Sequence, residues 1–79
     1  MFTKRLILTY LRENGESDVA MVKDSITLLD PNAGVEFAVS NLMLEGYLVH
    51  NSTTDTISIS ETGESLLCAA EQMEKIAGN

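Results

Sequence analysis

Few side chains in this 79-residue sequence have the type and spacing to do chemistry. His50 is the only histidine and Cys68 the only cysteine. A metal site needs several nitrogen, sulfur or oxygen donors in a recurring pattern, and no paired Cys or His spacing is present. A reactive thiol needs a base or cation beside it. Cys68 is followed by Ala69 and Ala70 and reads as a small core residue of a helix. His50 ends an apolar run and reads as a surface or edge residue. Glu61 with Glu64, and Glu71 with Glu74, are neighbours on a solvated helix face rather than an acid/base pair. No Ser–His–Asp arrangement can be argued beyond composition. The five glycines are dispersed, so none builds a phosphate cradle. Asn51-Ser52-Thr53 matches a glycosylation sequon, but Met1-Phe2-Thr3-Lys4-Arg5 opens no signal peptide, so the triplet reads as a turn. The expectation is therefore no catalytic residue, no metal, no cofactor and no enzyme.

Charge excludes more. Twelve acids against five bases give a formal net charge of −7. Residues 1–23 hold Lys4, Arg5, Arg12 and Lys23 against three acids, and residues 24–79 hold nine acids and the single base Lys75. From Asp24 to Glu74 there is no lysine or arginine. Nucleic-acid affinity rests largely on cations that displace counterions, so that stretch is a poor surface for phosphate. It also repels anionic membrane. No apolar run reaches the roughly 18 residues that span a bilayer. One cysteine cannot form an internal disulfide, and a cytoplasmic location fits. The length suits one domain, residues 1–79, with 44% hydrophobic residues to fill its core.

Helical spacing runs over residues 3–14, where Phe2, Leu6, Ile7, Tyr10 and Leu11 share a stripe and Asn14-Gly15 supplies a stop. Ser17 or Asp18 can cap a second helix carrying Ala20, Met21, Val22, Ile26 and Leu29. Asp30-Pro31 reads as the start of a third helix, with Asp30 as cap and Pro31 at the first position, where a missing N–H costs nothing. That helix runs to about Glu45 and Gly46 ends it. Residues 47–50 and 56–59 read as two strands of a hairpin, since 51–55 is rich in turn formers. Ser60 can cap a fourth helix from Glu61 to about Ala77, with Leu66, Leu67, Ala70, Met73 and Ile76 on its apolar side.

The expected class is mainly α with a small β-hairpin. In its element order and its third helix the chain resembles the winged helix-turn-helix family of bacterial repressors: three helices, a two-stranded wing and a C-terminal helix. In that family apolar residues often stand four, seven, eight and eleven positions before a glycine that precedes an apolar strand. Leu42, Val39, Ala38 and Val35 stand so before Gly46, and Tyr47-Leu48-Val49 follows. The family often closes its wing with an apolar residue, Thr or Ser, two variable residues and Gly, as in Ile59-Ser60-Glu61-Thr62-Gly63. The resemblance covers nearly the whole chain and implies fold before function.

The resemblance also implies that the outer face of the third helix reads DNA. Here that face carries Ala33, Glu36, Phe37, Ser40 and Leu44, with Met43 beside it, in place of the usual Arg, Lys, Asn or Gln. Phe37 and Leu44 are covered by helix one or helix four, or they stand exposed, or Phe37 touches a base. Two functions follow. The first is a non-catalytic interaction module for a protein partner of basic character or a second copy of the chain. Glu36, Phe37, Ser40 and Leu44 would make the contact and Glu45 and Asp55 would supply steering charge. The alternative, implied by the resemblance, is a dimeric DNA-binding transcriptional regulator. Lys4, Arg5, Arg12 and Lys23 would then meet phosphates, and Asn32, Ser40 and Asn41 would read bases.

Overall fold

A computed structural model describes residues 2–77, and the side chains of residues 3–74 within them. It is mainly helical, with a small antiparallel sheet. The elements are α1 (Phe2–Asn14), β1 (Ser17–Asp18), α2 (Val19–Leu29), α3 (Val35–Leu44), β2 (Leu48–Asn51), β3 (Thr56–Ile59) and α4 (Glu61–Ala77). The two-stranded hairpin expected from sequence gains a third member, because β1 pairs with β3 through Ser17↔Ile57 and Asp18↔Thr56. The sheet order is β1-β3-β2.

The local signals that held are those whose partner lies within a few residues. Asp18 caps α2, its carboxylate accepting the Met21 N–H at 2.8 Å. Ser60 caps α4, its hydroxyl accepting the Gly63 N–H at 3.0 Å and donating to the Gly46 carbonyl at 2.7 Å. Gly46 ends α3 with φ +84, a left-handed conformation that glycine adopts without Cβ strain.

Asp30-Pro31 does not start α3. The Asp30 N–H closes α2 on the Ile26 carbonyl at 2.9 Å, and the Asp30 carboxylate accepts the Asn32 N–H at 3.2 Å. Asp and Pro here build the turn between helices, and α3 begins at Val35 after Gly34, which offers no side-chain cap.

One core joins Ile7, Leu8 and Leu11 of α1, Val22 and Ile26 of α2, the four buried residues of α3, Leu48, Ile57 and Leu67. Leu6 and Tyr10 are only half-buried against it. Helix α4 departs further from its expected apolar side. Leu67 is buried, whereas Leu66 and Met73 are exposed, and Cys68, expected in the core, lies exposed. The expected core roles of Phe2 and Ile76 fall on side chains outside those described.

Close contact fixes where α4 starts. A Cβ built on Gly63 would lie 2.3 Å from the Tyr47 carbonyl oxygen, a backbone atom that cannot swing away. Alanine is favoured over glycine inside a helix by about 1 kcal/mol. Overpacking typically costs about 1–3 kcal/mol, and a backbone clash stands at the upper end. Gly63→Ala should therefore lower the chemical-denaturation stability despite its better helix propensity, and an unchanged or raised midpoint would contradict this contact.

Candidate interaction surface

Helix α3 positions the surface. Val35, Ala38, Val39 and Leu42 are buried and 7% exposed at most. At ~100° per residue the opposite side of the helix faces water. Phe37 is 77% exposed and Leu44 87%, so no helix of the described chain covers them. Ser40 is exposed between them, Glu36 and Glu45 are exposed at the flanks, and Asn41 is half-buried. Ala33, in the turn before the helix, and Met43 are half-buried and packed against the core. Two large aliphatics of α2, Leu28 and Leu29, are also exposed, as is Met21. Only Val22 and Ile26 are buried on that helix.

Asp55 and Asn32 stand apart from this face. Asp55 lies in the hairpin turn with φ 53, and its carboxylate is 3.0 Å from His50 Nε2. Asn32 is exposed in the turn after α2.

Each cation with a described side chain meets a carboxylate. Lys4 Nζ lies 2.9 Å from Glu45 Oε1, and Lys23 Nζ lies 2.7 Å from Glu36 Oε1. Arg12 donates through both Nη atoms to the two Glu71 oxygens, at 2.6 and 2.9 Å. Arg5 makes the same two-pronged contact with Glu74, the Nη2 arm at 2.6 Å. The forked guanidinium matches a carboxylate edge-on, and both pairs join α1 to α4.

The pairs shift proton affinities in the expected directions. The Lys23 hydrogen bond, helped by its charge, holds the Glu36 carboxyl below the usual carboxylate range, and the Arg5 hydrogen bond does the same for Glu74. Hydrogen bonding to their carboxylates raises Lys23, Arg5 and Arg12. All are exposed enough for water and salt to screen them, so their worth to stability is small.

Among the described residues no group of three or more His, Cys, Asp or Glu is placed to hold a metal. Among the described residues no buried side-chain nitrogen or oxygen lacks a partner. A groove of about 460 Å³ between α1 and α4 is floored by Leu8, Leu42, Leu66 and Ala70, and its rim cations Lys4 and Arg5 are already paired. No described helix is long and apolar enough to cross a membrane.

No family model, no curated protein and no solved structure matches this chain. The reading of the surface therefore rests on its own geometry.

The sign of the pH effect follows from the lowered carboxyls. A carboxyl held below its unfolded value contributes stability that is present above that value and is lost as pH falls through the folded one. Lys23→Met should move the Glu36 titration midpoint upward in an NMR titration while leaving Glu74 in place. An unmoved Glu36 midpoint would show that the pair does not form in solution.

Proposed function

We propose that this protein is a non-catalytic interaction module on a winged-helix scaffold. It presents the outer face of α3 to another protein. The order of elements supports the scaffold: three helices, a hairpin extended by β1, and a C-terminal helix. The observation that carries the function is the pair Phe37 and Leu44, both on one side of a ten-residue helix and both more than three-quarters exposed.

Burying a phenylalanine or leucine is worth on the order of 1.5–3 kcal/mol, and here that gain is left for a partner. Ser40 between them adds a small hydrogen-bonding group, and Glu36 and Glu45 frame the apolar centre with carboxylates. A partner with a basic rim around an apolar pocket complements such a surface. Asp55 on the hairpin turn adds steering charge of the same sign.

The DNA-binding reading has weaker support. Phosphate contacts draw on free cations, and Lys4, Arg5, Arg12 and Lys23 each hold a carboxylate of their own chain. Lys23 in particular answers Glu36 on the face that would enter the groove. Asn32, Ser40 and Asn41 remain as base readers without a phosphate clamp beside them.

Two measurements test the proposal together. Phe37→Ser with Leu44→Ser removes exposed side chains, so the thermal transition should stay within a few degrees of wild type. Affinity capture from the native cell should lose its specific partner with this variant and keep it with the wild type. A large drop in thermal stability would make the pair structural. Tight, salt-sensitive retardation of a duplex by the wild-type protein at low salt would favour the DNA-binding reading instead.

A further inference from the structure

Behind α3, on the side away from its exposed face, lies the groove between α1 and α4. Leu42, from the inward stripe of α3, reaches its floor together with Leu8 of α1 and Leu67 of α4. Leu66 and Ala70 add to the α4 wall, and Tyr47 lines the groove where the chain has left α3. Leu8, Leu42 and Leu67 are buried, whereas Leu66 is 38% exposed and Ala70 half-buried. The volume, about 460 Å³, falls within the roughly 300–1,000 Å³ of small-molecule sites, which are concave and mostly apolar.

The charged rim is neutral. Lys4 Nζ meets Glu45 Oε1 at 2.9 Å and ties α1 to the cap of α3, while Arg5 holds Glu74 and ties α1 to α4. Two cations and two carboxylates cancel there. Among the described residues no buried side-chain nitrogen or oxygen is unpaired, so the floor offers no hydrogen bond for a polar ligand to complete.

We propose that this groove binds a small uncharged apolar molecule. Charge selects that class. An anion would find both rim cations held by carboxylates, within a chain of net charge −7. A cation would find Glu45 and Glu74 held in the same way. Either ion would give up hydration without gaining a partner. An uncharged apolar body gives up little hydration, and it covers Leu66 and the leucine floor from water. The inference does not rest on the α3 surface, because Leu42 belongs to the stripe that Phe37 and Leu44 face away from.

The test uses the full chain and two dyes with the same aromatic rings. N-phenyl-1-naphthylamine is uncharged at neutral pH, and anilinonaphthalene sulfonate adds one negative charge. The uncharged dye should bind saturably, one per chain, and the sulfonate about tenfold more weakly or worse. Methyl NMR signals of Leu8, Leu42, Leu66 and Leu67 should shift with the uncharged dye while those of Leu44 stay in place. The thermal midpoint should rise with dye concentration, since the ligand binds the folded chain. Ala70→Phe fills the groove, and Leu66→Gln sets an amide in its wall. Each should weaken binding of the uncharged dye by about tenfold or more with the far-UV spectrum intact.

Non-saturating uptake, or methyl shifts centred on Leu44, would overturn the proposal. So would a sulfonate that binds as tightly as the uncharged dye, or unchanged affinity in both variants. Should a variant fail to fold, the methyl map of the wild type decides alone.

Discussion

The burial of one helical stripe governs what this molecule shows to the outside. Val35, Ala38, Val39 and Leu42 sit in the centre of the core, against Ile7, Leu11, Ile26, Leu48 and Ile57. Turning α3 about its axis would exchange those side chains for Glu36, Ser40 and Asn41, which have no partners in an apolar interior. The helix is thereby locked in rotation. The side bearing Phe37 and Leu44 is exposed as a consequence of the packing behind it, and it stays rigid because the core holds it.

Carboxylates make the second layer of the design. Glu36 on α3, Glu45 at its C-terminal cap, and Glu71 and Glu74 on α4 answer the four described cations of α1 and α2. Exposed pairs of this kind contribute little to stability. Their larger effect is on the electrostatic surface. They remove the positive potential that a chain of this composition could otherwise have gathered at its basic N-terminal end. Two of them, Arg5–Glu74 and Arg12–Glu71, join α1 to α4 by two-pronged contacts.

Elements whose determinants are local were legible from the residues alone. Caps at Asp18 and Ser60, the glycine stop at Gly46, and the inward stripe of α3 each depend on atoms a few positions apart. Asp30-Pro31 misled for a physical reason: an acidic acceptor followed by a fixed φ suits a helix start and a turn equally, and the choice fell to the bond from Asp30 N–H back to Ile26. Strand β1 is two residues long and exists only through its pairing with β3, far along the chain. Cys68 reads as a core residue of its helix, yet the sequence alone cannot say whether a neighbour arrives to cover it.

What the sequence determined by itself was the four helices and the hairpin, the inward side of α3 and the shortage of cations. These follow from period, composition and short-range hydrogen bonding. What tertiary structure decided was which apolar side chains remained uncovered and which acid each base would meet. Both depend on distances between residues 13 to 69 positions apart in the chain. Such distances are set by how helices pack, and packing is a property of the assembled core rather than of any one segment.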